Sequence, residues 1–368
     1  MRILHIVDSL GLGGAQSVLK GIFEAQKENE EIFLIALRKR KINVKIDHPN
    51  VIVNKSDKKY SFSPLKDIKK LIRKENTNII HCHLFRSQIF GFILKSLYFP
   101  YIKLIFHEHG EVFQNHKIYN FFMKISKKKV DLYLAVSKAT KYVLFNKIKI
   151  PENKIQILYN FVDLEKFDVK KINLDINNER QKLKINTDEF IIGFVGRLCK
   201  IKGCEYLIKS LPYLNFNYKC LIAGDGPDLT NLKKLSKILG LEEKIVFLGY
   251  INNIHEYYPL INALVIPSSS EASPMAFYEA QAFGIPVIGS DVPALNEFII
   301  KGKNGFLFEY GNYNDLARIL NSINCNKTIL KSMYEFSKEN IQKYSLDNYL
   351  KQLNEIYNKM LLYPNVVT

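Results

Sequence analysis

The feature that most constrains this chain is a repeated unit: a short β-branched apolar run, a glycine-containing turn, then an amphipathic helix. The chain opens with RILHIVDS, GLGGAQ and SVLKGIFEAQ, and EIFLIAL, TNIIHCH, IKLIFHE and DLYLAVS continue the series as nearly unbroken apolar runs. Strands that are apolar on both faces need cover on both faces, so residues 1–165 are expected to form an α/β, doubly wound parallel sheet. After the polar stretch from Asp163 to Asp188, a second series follows: FIIGFVG, YKCLIAG, KIVFLG, ALVIPS and IPVIGS. We therefore expect a linker over 166–187 and a second parallel α/β domain over 188–344. Beyond it, Leu346, Tyr349, Leu350, Leu353, Ile356 and Tyr357 stand at helical spacing, which predicts an amphipathic helix over about 345–368.

A chain of 368 residues can bury two such cores. Its five cysteines, Cys82, Cys199, Cys204, Cys220 and Cys325, are scattered, which speaks for a reducing compartment and buried small side chains rather than a disulfide framework. No apolar run reaches the roughly 18 residues of a spanning helix, and RILHIVDSL runs straight into glycines, so a cytoplasmic chain without a signal peptide is expected. The charge is asymmetric. Of 53 Lys and Arg, 29 lie in residues 1–165 against 15 acids, while the rest of the chain holds 24 against 21. The first half is thus suited to an anionic partner: an anionic membrane face, a phosphate-bearing substrate or nucleic acid.

Gly11, Gly13 and Gly14 follow the first strand, where a tight turn with exposed amides can close on a phosphate or a sugar. A nicotinamide fingerprint is a poor match. Gln16 occupies the place of its third glycine, and no acid follows a second strand at about 20 residues' distance. The second domain opens with FVGRLCKIKG, whose Arg197 and Lys202 can neutralise a diphosphate, one as a two-pronged donor and one as a point charge. No Asp-x-Asp pair occurs in the chain, so the simplest dicarboxylate for a nucleotide-bound Mg²⁺ is lacking and no metal cofactor is expected.

EASPMAFYEA, residues 271–280, combines an expected N-cap, Ser273, with Pro274 at the first helical position. The amides of Met275, Ala276 and Phe277 would then form an anion site. Glu271 before it and Glu279 in the second turn are unfavourable beside an anion unless sugar hydroxyls donate to them. The stretch thus reads as a phosphate held between two sugars.

In this order and spacing, the GGAQ loop, His109–Gly110, GRL…KG at 196–203, GDGP at 224–227, the Glu271/Glu279 pair and GIPVIGSDVPALNE resemble family 4 of the retaining glycosyltransferases, of GT-B fold. The resemblance covers residues 3 to about 310. It implies two Rossmann-like domains facing a central cleft, the terminal helix crossing back onto the first. It further implies that Arg197 and Lys202 bind the donor diphosphate, that Glu279 holds the ribose and that Glu271 contacts the transferred sugar. From the first domain it brings the amides of Gly13 and Gly14 and the side chain of His109 to the sugar, and it packs the base near Tyr250 and Ile251. Two departures stand out: Ala272 where glycine is frequent, and Phe161 in place of the glycine of Asn-Gly-Val-Asp.

Gln16 and His83 are acceptor-side candidates, His83 because ligands bind at the C-terminal ends of such strands. His81 and His83 share a strand face, but no third metal ligand stands near them in the sequence. FHEHG offers both His107 and His109, and spacing does not choose between them. SQIFGFILKSLYFPYIKL, near Lys127, Lys128 and Lys129, reads either as a membrane-surface element or as a core helix with one wet side.

The expected reaction is sugar transfer from a UDP- or GDP-linked donor to a hydroxyl of a saccharide or lipid-linked acceptor, for surface polysaccharide, lipopolysaccharide or lipid-linked glycan assembly. An epimerase or phosphorylase on the same fold is the rival enzyme. A basic nucleic-acid-binding module is the non-enzyme alternative, and dispersed basic residues without an interleaved aromatic module speak against it.

Overall fold

A computed structural model describes residues 1–40, 44–58, 61–110, 117–172 and 174–362. The chain divides into two compact units, Met1–Phe161 joined by the segment from Leu346 onward, and Val162–Ser345. The stretch expected as a linker, 166–187, instead folds within the second unit. Its helix Ile176–Lys182 is capped by the Asp175 side chain, which accepts the Asn178 N–H at 3.1 Å, and its Glu179 accepts a hydrogen bond from Tyr257. Polar composition concealed it because only one side of this short helix is covered.

In the first unit, β1 (Ile3–Ser9), α1 (Gly14–Ala25), β2 (Ile32–Arg38), β3 (Val51–Val53), α2 (Pro64–Glu75) and β4 (Ile79–His83) follow in order. Then come α3 (Phe85–Leu97), β5 (Lys103–Glu108), α4 (Lys117–Ser126), β6 (Leu132–Ala135), α5 (Lys138–Tyr142) and β7 (Ile155–Ile157). The seven strands are parallel in the order β3-β2-β1-β4-β5-β6-β7. Leu4, Ile6, Ile80, Cys82, Leu104 and Phe106 enter one core on one face of this sheet. The opposite face carries His5, His81, His83 and His107, with register pairing His5 to His81 and His83 to His107.

The second unit, after α6 (Ile176–Lys182), runs β8 (Phe190–Val195), α7 (Cys204–Ser210), β9 (Tyr218–Ala223), α8 (Leu229–Ile238), β10 (Ile245–Gly249) and β11 (Ala263–Ile266). It continues with α9 (Met275–Ala282), β12 (Val287–Ser290), α10 (Pro293–Phe298), β13 (Gly305–Phe308), α11 (Tyr313–Asn324) and α12 (Lys327–Asn340). Its six strands are parallel in the order β10-β9-β8-β11-β12-β13. The last helix, α13 (Leu346–Leu362), belongs to the first unit and buries Tyr349, Leu353, Ile356 and Tyr357.

Strand order reverses between β1 and β4 in one sheet and between β8 and β11 in the other. In open α/β sheets such switch points leave a crevice at the strands' C-terminal ends, where ligands bind. Phe161 is accommodated locally. It is buried, its ring lies 4.6 Å from that of Tyr349, and a Cβ on Gly21 of α1 would come within 2.6 Å of it. Of the cysteines, Cys82, Cys204 and Cys220 are buried, Cys199 is half-buried and Cys325 is exposed.

Candidate active site

At the switch point of the second unit, backbone packs on backbone. Gly203 has φ 63°, and a Cβ there would stand 2.0 Å from the Pro267 carbonyl oxygen, so only glycine lets the 200–203 turn press against the end of β11. The Ser269 N–H donates to the Ile201 carbonyl at 2.8 Å across the same junction. A Cβ on Gly226 of the GDGP turn would lie 2.2 Å from the Leu198 carbonyl oxygen. These approaches bring Arg197, Lys202, Glu271 and the start of α9 to one edge.

Lys202 and Glu271, expected to meet different parts of a ligand, meet each other. Lys202 Nζ lies 2.6 Å from Glu271 Oε1, which also accepts the Ser268 hydroxyl at 2.6 Å. The Glu271 carboxylate is nearly buried, which makes such partners necessary. Arg197 is exposed, and its guanidinium forms no ion pair among the described residues.

The expected cap needs correction. Ser273 does not cap α9, because its hydroxyl is hydrogen bonded to the Tyr278 hydroxyl at 2.7 Å. The N-cap is Pro274, and the helix starts at Met275. The Phe277 N–H is taken by the Pro274 carbonyl at 3.1 Å, which removes it from the expected anion site and leaves Met275 and Ala276 as its first-turn candidates. Glu279 lies in the second turn, half-buried, and accepts the hydroxyl of fully buried Tyr258 at 2.7 Å. Burial pushes its carboxyl upward, against the opposing pull of the Tyr258 hydroxyl and Lys166. Tyr250 and Ile251 follow Gly249, whose carbonyl accepts the Gly224 N–H at 2.7 Å, so they flank the GDGP turn.

In the first unit, Gln16 supports the glycine loop from within. It is buried, its amide donates to the Ser9 carbonyl at 3.0 Å, and a Cβ on Gly13 would meet its Oε1 at 2.6 Å. Helix α1 starts directly at Gly14. His83, the other acceptor-side candidate, ends β4. It is fully buried, with one ring nitrogen 2.9 Å from His5 and the other 2.9 Å from His109. His109 is half-buried with an unpartnered Nδ1, whereas His107 is fully buried, which separates the two histidines that spacing left equal.

The third ligand missing near His81 and His83 is supplied by neighbouring strands. Nitrogens of His5, His81 and His83, and of His83, His107 and His109, lie within 4.8 Å of one another. Hydrogen bonds between rings, such as His5 Nδ1 to His83 Nε2, occupy the lone pairs a metal needs.

Two further groups escaped the sequence reading. Asp8 is shared by Arg38 at 2.7 Å and Arg86 at 3.4 Å, leaving one positive charge in excess beside β1. Glu108, on the sheet face opposite His107, is buried and accepts the Gln88 amide at 2.6 Å; burial pushes its carboxyl up to about 7. It lines a cavity of about 10 Å³ with Tyr119, Thr140 and Val143. Both rest on residues far apart in sequence. The SQIFGFILKSLYFPYIKL stretch forms α3, whose Phe90, Gly91 and Leu94 are buried, so the core reading holds for it.

Two family models match: "Glycosyltransferase Family 4" over residues 13–166 and "Glycosyl transferases group 1" over residues 175–342. An uncharacterized glycosyltransferase of Methanocaldococcus jannaschii is 30% identical over 76% of this chain and 75% of its own length. The Escherichia coli UDP-Gal:alpha-D-GlcNAc-diphosphoundecaprenol alpha-1,3-galactosyltransferase is 27% identical over 72% of this chain and 71% of its own. Anabaena HepE, solved with UDP-glucose, superposes with a TM-score of 0.86 at 20% identity, over 98% of this chain and 100% of its own. Two parallel sheets of this order, flanked by helices, are the GT-B fold. The chain belongs to glycosyltransferase family 4, in the group 1 class. No described helix is long and apolar enough to cross a membrane.

Proposed function

We propose that the chain transfers a sugar from a nucleotide-diphosphate donor to an acceptor hydroxyl with retention at the anomeric carbon and without a metal, in surface polysaccharide, lipopolysaccharide or lipid-linked glycan assembly. The observation that carries this reading is the set of Arg197, the Lys202–Glu271 pair, the start of α9 and Glu279 at one switch point. A departing nucleoside diphosphate accumulates negative charge, which Arg197, Lys202 and the Met275 and Ala276 amides stabilise, while Glu271 and Glu279 accept sugar and ribose hydroxyls. No covalent nucleophile is assigned, so attack comes from the face of departure. His109 and the Gly13–Gly14 amides serve the transferred sugar, and Tyr250 and Ile251 the base. A UDP donor is favoured by the UDP complexes of HepE and the UDP-Gal of the E. coli relative's name.

The acceptor we propose bears phosphate and lies at a membrane surface. The uncompensated cation beside Asp8 suits the phosphate. On α4, Ile118, Phe121 and Ile125 expose an apolar stripe flanked by Lys117, Lys124, Lys128 and Lys129, which suits an anionic bilayer. Co-sedimentation with phosphatidylglycerol vesicles, lost in Phe121→Asp, tests that part.

Thermal shift against UDP, GDP and their sugars tests the donor, since only a ligand of the folded state raises Tm. Arg197→Ala should lower kcat/KM on the order of 100-fold, about 3 kcal/mol, with turnover otherwise unchanged by EDTA. Wild-type turnover in Arg197→Ala sinks the proposal. Conversion of the donor without acceptor, followed by NMR, would indicate the epimerase instead.

A further inference from the structure

Six polar groups lie buried or half-buried on one face of the first unit's sheet and touch end to end. His109 Nε2 is 2.9 Å from His83 Nδ1, and His83 Nε2 is 2.9 Å from His5 Nδ1. His5 Nε2 is 3.3 Å from the Tyr357 hydroxyl, which is 2.7 Å from His81 Nδ1. His81 Nε2 is 3.2 Å from His107 Nδ1. Strand register and period two place the histidines on this face, and α13 delivers Tyr357 to its middle.

We propose that these six groups form one directional hydrogen-bonded chain, and that His5, Tyr357, His81, His83 and His107 are positioning residues that fix the tautomer of His109. A neutral imidazole has one N–H and one lone pair. Every link between histidines joins an Nε2 to an Nδ1, so once one ring donates from Nε2, the next must accept at Nδ1 and carry its own proton on Nε2. Tyr357 passes the direction on, accepting from one histidine and donating to the other. Two arrangements satisfy every link, each with one terminal N–H left over: all five rings protonated on Nε2, or all five on Nδ1. If Tyr357 accepts from both neighbours, its own buried proton is left without an acceptor. Reversal takes one proton from water at one end and returns one at the other, so the count is unchanged.

The two ends of the chain are alike. His107 Nε2 and His109 Nδ1 have no hydrogen-bond partner among the described residues. The Nε2 arrangement would strand an N–H at fully buried His107. The Nδ1 arrangement leaves a lone pair there and strands an N–H at His109 Nδ1, which is buried as an atom although its residue is half-buried. Each arrangement thus leaves one buried N–H unmade at one end, and the links fix a single tautomer shared by all five rings, His109 included. Burial lowers all five histidines far below their ordinary value, His5 and His109 to about 3, which keeps them neutral near pH 7.

The consequence for turnover rests on the reading that His109 meets the sugar, but the chain itself does not. Long-range ¹H–¹⁵N spectra of the full-length, histidine-labelled protein at pH 7 should show these five rings neutral and all in one tautomer. A set split between tautomers, or one charged ring, overturns the chain. Tyr357→Phe removes the bridging oxygen and keeps the ring. It should end the shared tautomer of the two segments and lower kcat by about tenfold with KM for the donor nearly unchanged. Uniform tautomers in the wild type with unchanged kcat in Tyr357→Phe would overturn the placement of His109 at the sugar and leave the chain standing.

Discussion

The two units gather their polar groups with opposite chemistry. The second gathers formal charge: exposed Arg197, the Lys202–Glu271 pair and the half-buried Glu279. The first gathers five imidazoles that burial keeps neutral. Charge at a strand end suits a ligand with phosphates, and its own repulsions and attractions are screened or exchanged when that ligand arrives. A neutral hydrogen-bonded array suits hydroxyls, which need donors and acceptors in fixed directions but no countercharge. The difference teaches that one fold repeated twice can carry two kinds of polar surface, charged in one unit and neutral in the other.

The comparison breaks most visibly in acid. A histidine whose folded value lies below its unfolded 6.5 gives stability that is complete above 6.5 and lost as pH falls. Each such ring contributes up to about 1.4 kcal/mol per pH unit, so five together approach ~7 kcal/mol per unit at the steepest. Hydrogen exchange read by mass spectrometry at pH 7.5 and 5.5 should show β1, β4 and β5 opening in acid before β8, β9 and β11. If the second unit's strands open first, the neutral array is not the acid-sensitive element.

Much of this was legible in sequence. Apolar runs marked most strands because strands covered on both faces leave an unbroken signature, whereas β3 and β7 are three residues long and partly exposed and carry too little pattern. The glycines at 203 and 226 were legible as a motif, and their cause, backbone pressed on backbone, emerged only in three dimensions. Phe161 looked like a flaw for the same reason: the space it fills is opened by Gly21, 140 positions earlier in the sequence. The histidine array was invisible as an array. His5, His81 and His107 belong to three strands, and only register makes them neighbours.

Within the first unit, Glu108 runs against the histidines. Its folded value, about 7, exceeds the ordinary 4.5, so the wild type loses stability as pH rises between those values, by about 3 kcal/mol. Glu108→Gln should abolish that loss. Urea midpoints of wild type and variant measured from pH 4.5 to 7.5 isolate it, because the histidine contribution is common to both. Parallel curves would show that Glu108 is not the buried acid.

In the second unit, Lys202→Met leaves a nearly buried carboxylate with Ser268 alone and should cost about 2 kcal/mol of stability. Adding Glu271→Gln should recover a large part of this, since the uncompensated charge is then gone. Additive losses in the double variant would mean that the pair is not coupled, and the charged edge would then owe nothing to Lys202.

The smallest effect tests Glu279, a half-buried carboxylate of the second unit. Burial raises Glu279, and the Tyr258 hydroxyl at 2.7 Å opposes that rise. A raised carboxyl gives stability that is complete in acid and lost as pH climbs through its folded value, so removing the opposing hydroxyl deepens the loss at high pH only. Tyr258→Phe should therefore cost about 1–2 kcal/mol at pH 8 and distinctly less at pH 5, where Glu279 is closer to neutral. Denaturant midpoints at the two pH values decide it. Equal losses would mean that the tyrosine supports its helix and strand by packing, and that Glu279 carries no charge for a ribose hydroxyl to answer.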